Sequence, residues 1–305
     1  MDKNELLRLY SLPLDELLCI SQKFVKDNVE FCSLINARNG KCSQNCRYCA
    51  QSSHYNTEIE EFPLVSVDKV KYAAKDAVKS KASRFAIVTS GKTPDESDFD
   101  AMLKMIEEIN KIKELKSCAS IGILNEEQAQ RLAKVGLKRF HHNINTAPSY
   151  YSEVCTTHTI EERIQTCRLV KKYGMELCCG VILGMGETIE QRVEMALTLR
   201  EIQPESIPIN ILMPIPKTPF ESYIDRIDEE NVLRTLAVFK IANPESILRF
   251  CGGRMRLSLA NQEKALKTCV EGLMVGNYLT TLGSKPEEDL EMITRIGKSI
   301  KCMTT

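Results

Sequence analysis

The sequence predicts an α/β chain folded as a closed (βα)8 barrel, a TIM barrel. Three observations lead there. Short apolar runs alternate with longer helical stretches, eight of each over about 270 residues, and parallel strands need such crossovers. No Pro/Gly/Ser-rich linker, internal repeat or low-complexity tract divides the chain. The most unusual segment, a cysteine-rich loop, directly follows the first apolar run, and barrels gather function at the carboxyl ends of their strands. A doubly wound open sheet is the competing arrangement.

Residues 1–29 read as a short helical lead-in and 30–305 as the barrel. The opening MDKNELLRLYSLPLDELL carries acids and reads as an amphipathic helix rather than a signal peptide. Strands are expected at 30–36, 84–89, 117–121, 138–144, 176–183, 206–212, 247–251 and 273–277. Helices are expected at 66–80, 96–114, 125–135, 159–173, 188–202, 228–243, 260–270 and 286–299. The helix at 125–135 opens on Asn125 with Glu126 and Glu127 in its first turn, and Gly136 stops it. The helix at 159–173 opens on Thr159 and closes at Gly174 in the same manner.

Composition excludes several classes of function. Of 305 residues, Lys+Arg number 41 and Asp+Glu 41, a net charge of zero that gives no electrostatic reason for a nucleic-acid or anionic-membrane partner. No apolar run approaches the 18 residues or so of a membrane span. The chain is therefore expected in the cytoplasm. There the 13 cysteines, far below the density of a disulfide scaffold, point to metal or redox chemistry. Four His and no Trp leave little for a His-based zinc site.

After the first strand comes NARNGKCSQNCRYCAQSSHYNTE, in which Cys42, Cys46 and Cys49 form C-x3-C-x2-C. Three thiolates cannot complete tetrahedral zinc without a fourth ligand. They can hold a [4Fe–4S] cluster with one iron left open to a small chelating molecule. A zinc knuckle is the other reading of the trio. Tyr48, beside the last cysteine, is placed to cover a purine base.

C-x3-C-x2-C with an aromatic before its last cysteine resembles the radical S-adenosylmethionine (SAM) enzymes. The continuation YCAQSSHYNT resembles the biotin synthase family among them. The likeness runs from about Phe31 to Glu288, through SRFAIVTSG, HHNINTAPSYY, TTHTIEER, GVILGMGET, SIPINILMPIPKTP and NYLTT. It implies a radical SAM barrel that binds SAM on the open iron and inserts sulfur between C6 and C9 of dethiobiotin. It also implies a one-electron reductant such as flavodoxin or ferredoxin, and a homodimer.

By the same resemblance, Thr89, Ser90 and Gly91 meet the methionine amino group, and Arg163 its carboxylate. Asn143 and Asn145 hold the ribose, Asn145 standing where relatives usually have Asp. Ile182 lies against adenine. Asn143 and Asn210 bind the ureido ring, with His141 where relatives often have Asn, and Thr280 and Thr281 take the substrate carboxylate.

The resemblance also implies a second, sulfur-donating cluster, in relatives a [2Fe–2S] cluster on three cysteines and an arginine. Cys118, Cys178 and Arg249 match, but the third cysteine position is Ala86. Cys32 and Cys251 are new, and Cys251 shares a strand face with Arg249, two residues away. If Cys32, Cys118, Cys178 and Cys251 all face the lumen, four thiolates suit a four-iron cluster, with an extra sulfide as in the enzymes of obligate anaerobes. Arg249 is then a ligand or a counter-charge. Cys179 replaces Cys178 if the strand is bulged. Cys19, Cys155, Cys167, Cys269 and Cys302 read as packing thiols.

The remaining readings are a hydrogenase maturase or methylornithine synthase within the same superfamily, and a non-catalytic iron–sulfur or zinc protein.

Overall fold

The computed structural model describes residues 1–225, 227–276 and 284–301. Two helices, α1 (Lys3–Tyr10) and α2 (Leu14–Gln22), precede β1 (Asn28–Arg38), then α3 (Val67–Lys79), β2 (Arg84–Thr89), α4 (Glu96–Asn110), β3 (Lys116–Ser120), α5 (Glu126–Lys134) and β4 (Arg139–His141). The second half continues with a short α6 (Tyr151–Val154), α7 (Ile160–Lys172), β5 (Glu176–Cys178), β6 (Val181–Leu183), α8 (Ile189–Ile202), β7 (Ser206–Ile211), α9 (Glu229–Ala242), β8 (Ile247–Phe250), α10 (Leu259–Thr268), β9 (Gly272–Met274), α11 (Pro286–Arg295) and β10 (Ser299–Ile300).

Every strand pairing is parallel, and β9 pairs with β1 through Glu30↔Gly272, Phe31↔Leu273 and Cys32↔Met274. That contact closes the sheet into a barrel of eight staves, with β5 and β6 making up one stave, and removes the open-sheet alternative. β10 adds a short extension beside the start of β1.

The crossover helices begin where capping chemistry places them. Asn125 caps α5 and Thr159 caps α7, each in a reciprocal box with Gln128 and Glu162, and Gly136 and Gly174 adopt positive φ just beyond the ends. Outward residues of the staves, such as Phe31, Phe85, Phe140 and Leu248, pack under the helices, where Phe99, Met105 and Phe239 are fully buried. α1 and α2 lie against α8 and α9; the Tyr10 hydroxyl reaches the Asn231 carbonyl and the Thr235 hydroxyl. Among the described residues no helix is long and apolar enough to cross a membrane.

Several expected boundaries shift for physical reasons. The stave expected at 138–144 is a ladder only over Arg139–His141, because Asn145 turns into the left-handed region at φ 67°. The stave expected at 176–183 is interrupted at Cys179–Gly180. Opposite it stands Pro208, which has no N–H to give to the ladder. The register is unchanged across the gap, Cys178↔Ser206 and Val181↔Ile209, so there is no bulge to turn Cys179 inward. Cys179 packs outward, its sulfur 3.8 Å from that of Cys167. The last expected helix stops at Arg295, and Gly297 at φ 75° turns the chain into β10.

The backbones of β5–β6 and β7 approach so closely at the gap that a Cβ on Gly180 would lie 1.9 Å from the Pro208 carbonyl oxygen. Gly180→Ala is therefore expected to destabilise the chain by about 1–3 kcal/mol or more, the cost of forced overpacking. Urea unfolding of the metal-free protein measures it; an unchanged midpoint would show that the staves can part at no cost.

Candidate functional site

The staves fill their lumen in layers. At the amino-terminal floor, burial would raise the carboxyl of Glu30, but the guanidiniums of Arg249, Arg139 and Arg84 outweigh that and hold it far below the usual range. Arg84 Nε and Arg139 Nη1 each lie 3.0 Å from it, and Arg249 Nη2 also contacts it. Glu176 bridges Arg84 at 2.8 Å and Arg139 at 2.7 Å. The Arg249 fork is further used on the Glu30 carbonyl at 3.0 Å and lies against Gly272, where a Cβ would come within 3.0 Å of Cζ.

Two residues further along each strand, on the same face, lies the thiol layer: Cys32 above Glu30, Cys178 above Glu176, Cys251 above Arg249, with Cys118 on β3. All four are 3% exposed or less. The structure brings them together. Contact with Cys118 lowers the Cys32 thiol, whereas burial raises those of Cys178 and Cys251. Burial pushes the Cys118 and Cys251 thiols up to about 12. Ala86 occupies the corresponding place on β2 and offers no donor.

A cavity of about 370 Å³ opens above this layer, of a size to take a small ligand. Cys178, Arg249 and Cys251 line its depth; Tyr48 and Cys49 line another part of the wall. His141, Asn143, Asn145, Ile182 and Asn210 also line it. Asn143 accepts the Gly180 N–H at 3.0 Å, and Asn210 spans its neighbours, donating to the Val181 carbonyl at 3.2 Å and accepting the Gly252 N–H at 3.0 Å. Ile182 packs in an apolar cluster with Val154, Met185, Leu212 and Phe220, flanked by Tyr48. Of the β2 end, Val88 faces the cavity, whereas Ser90 bonds the Gly40 carbonyl at 2.6 Å and so braces the cysteine loop from behind. The Thr89 hydroxyl is buried without a partner among the described residues. Thr280 and Thr281, like Cys302, lie outside the described residues.

The cysteine loop turns at Gly40 and Lys41, with φ of 80° and 52°. It is closed by Cys42 N–H to the Gln51 carbonyl at 3.0 Å, Ser53 N–H to the Cys42 carbonyl at 2.8 Å and Cys49 N–H to the Cys46 carbonyl at 3.0 Å. The three thiols are half-buried at the barrel mouth. Burial pushes Cys49 up to about 11.

Sequence reasoning missed one neighbour of this loop. Cys155, set aside as a packing thiol, has its sulfur 3.6 Å from that of Cys46 and 3.2 Å from His158 Nδ1. His158 also meets Gln44 at 2.9 Å and, through Nε2, Arg163 at 3.2 Å. Cys46, Cys155 and His158 keep their donor atoms within 4.8 Å of one another, single-ion spacing. The Cys42, Cys46 and Cys49 trio is not so tight, as suits a multi-iron unit. Cys19, expected to be buried, is exposed.

Arg163 on α7 reaches the barrel top through the Asn143 carbonyl. A guanidinium so placed offers a charge-assisted hydrogen bond to a carboxylate.

Residues 38–199 match the Radical SAM superfamily, and residues 208–299 the Biotin and Thiamin Synthesis associated domain. The chain is 44% identical over 290 residues to a biotin synthase of Acetivibrio thermocellus, spanning 94% of this chain and 90% of that one. It is 40% identical over 304 residues to a biotin synthase of Clostridium perfringens strain 13, spanning 98% and 95%. A crystal structure of methylornithine synthase is similar with a TM-score of 0.83 at 15% identity, covering 98% of this chain and 94% of that one, a likeness of fold alone.

Removing Glu30 leaves Arg84, Arg139 and Arg249 buried against one another. Glu30→Ala is expected to cost about 3–5 kcal/mol in urea unfolding of the metal-free chain. The pH dependence has a definite sign. Because the folded carboxyl is depressed below the ordinary 4.5, its contribution is complete above pH 4.5 and is lost as pH falls below it. Glu30→Gln flattens that acid limb; an unaltered limb would mean that the floor is not held by this carboxylate.

Proposed function

The chain belongs to the biotin synthase family of radical SAM enzymes, and we propose that it inserts sulfur between C6 and C9 of dethiobiotin, closing the thiophane ring of biotin. One observation carries the reading: a single cavity has Tyr48 and Cys49 of the cysteine loop in its wall and Cys178 and Cys251 in its depth. Hydrogen removal and sulfur delivery at one carbon require both sources to face one chamber.

The donor sets fit the groups that the family implies. Three thiols from one loop, with no fourth cysteine in that loop, suit a [4Fe–4S] cluster with one open iron. When bound, that cluster and SAM supply a carbon radical, the reagent for C–H bonds that acid–base chemistry leaves inert. The protein binds, aims and excludes water. Arg163 pairs with the methionine carboxylate, and Thr89, Ser90 and Gly91 stand toward its amino group. Asn143 and Asn145 hold the ribose. Asn145 in its left-handed conformation tolerates Asn as it would Asp. Ile182 and Tyr48 provide an apolar face for adenine. Asn210 and Asn143, rigidified by their backbone bonds, present their remaining hydrogen-bond capacity to the ureido ring. Thr280 and Thr281 take the substrate carboxylate.

Cys32, Cys118, Cys178 and Cys251 hold the auxiliary cluster, and their number favours four irons over two. Its extra sulfide is the sulfur inserted. Arg249, with its donors committed to Glu30, acts as a counter-charge beneath it. Flavodoxin or ferredoxin as electron donor, a homodimer and a cytoplasmic setting follow from the same reading.

Anaerobic reconstitution tests it. With reductant, SAM and dethiobiotin, the protein should form 5′-deoxyadenosine and biotin. Cys42→Ala abolishes both. Cys118→Ala or Cys178→Ala keeps nucleoside formation, loses biotin, and loses about half the iron. Biotin formation by Cys118→Ala at the parent rate would overturn the assignment. Cys32→Ala and Cys251→Ala should each disturb the spectrum of the second cluster; if neither does, the four-thiolate set is wrong.

Arg163→Ala removes a charge-assisted contact, so the apparent affinity for SAM should fall roughly ten- to hundredfold. Titration of nucleoside formation against SAM reads this. An unchanged affinity would place the carboxylate elsewhere.

A further inference from the structure

The thiol layer contains one more donor. His141 stands two residues beyond Arg139 of the floor, as Cys32, Cys178 and Cys251 stand beyond Glu30, Glu176 and Arg249. It is paired in register with Cys178 on one side, and its side chain lies near the Cys118 thiol on the other. It lines the same cavity as Cys178 and Cys251. Its Nε2 is buried and has no partner among the described residues. The nearby amides do not answer Nε2: the bonds that Asn143 and Asn210 make run to Gly180, Val181 and Gly252. A buried polar nitrogen without a partner, set among four thiols, calls for a ligand.

We propose that His141 is a nitrogen ligand of the auxiliary cluster, binding one iron through Nε2 in place of one of the four thiolates. The inference rests on the reading that the lumen thiols hold a cluster, and it moves His141 from the substrate to the metal. Imidazole is a chemically apt donor, since neutral histidines replace thiolates on iron in Rieske centres and raise the potential.

The chain has four histidines, which makes a labelling experiment decisive. A full-length Cys42→Ala/Cys46→Ala/Cys49→Ala variant retains only the lumen donors. His54 and His158 then lie beside a loop that holds no cluster, and His142 is buried on the outer side of its stave, its carbonyl accepting from Cys167. After growth on ¹⁵N-histidine and anaerobic reconstitution, pulsed EPR should show a directly bonded ¹⁵N coupling. His141→Gln should remove the coupling while the cluster's iron is retained. His141→Cys, which restores a donor as thiolate, should keep the iron and shift the midpoint potential negative.

A paramagnetic lumen cluster without ¹⁵N coupling, or one whose coupling survives His141→Gln, overturns the proposal and leaves the thiolate reading intact. A variant with no lumen iron at all overturns the thiolate reading itself. In the otherwise unaltered protein, His141→Asn supplies a second measurement. Weaker dethiobiotin binding with an unchanged potential would return His141 to the substrate and also overturn the proposal.

Discussion

The carboxylate of Glu30, surrounded by Arg84, Arg139 and Arg249, is the interaction on which the rest of the lumen is built. A buried ion of either sign is costly unless paired, and three guanidiniums cannot share a barrel floor without an acid between them. Their arrangement does more than neutralise. It leaves positive charge directly beneath four thiols, where an anionic iron–sulfur unit would need it. It also uses the Arg249 fork on acid and backbone. The floor thus determines the orientation of the layer above it.

The same economy governs the polar residues higher up. Asn143 and Asn210 reach the cavity already bonded to the backbones of adjacent staves. Such side chains lose little freedom when a ligand arrives, so their affinity comes from pre-set geometry. The cysteine loop shows the same principle at the mouth, where hydrogen bonds within the loop and from Ser90 define its path. Its Cys46 thiol instead turns to Cys155, a residue 109 positions away in the chain.

Much of this was legible before the fold was known. Period-two alternation put Cys251 on the face of Arg249, the resemblance pointed to Cys118 and Cys178, and Asn125, Thr159, Gly136 and Gly174 marked helix ends by local chemistry. The floor was not legible, although its signal is plain in retrospect: a charged residue stands two positions before Cys32, Ala86, His141, Cys178 and Cys251. Which charges meet depends on the stagger of a closed barrel, a property of the whole sheet. Cys155 and His158 escaped for the same reason, being local to α6 and α7 and near Cys46 only in space. The interruption of the fifth stave escaped because its cause, Pro208, lies on a different strand.

The glycine at that interruption has a reach beyond its own stave. With no Cβ at Gly180 the backbones of the fifth stave and β7 meet closely, while its N–H bonds the Asn143 side chain on the other side. A backbone amide on the fifth stave thereby holds the rotamer of a side chain carried by β4. The surface that the cavity presents is consequently set partly by a residue outside its lining, and a search confined to the cavity wall would overlook the one that orients Asn143.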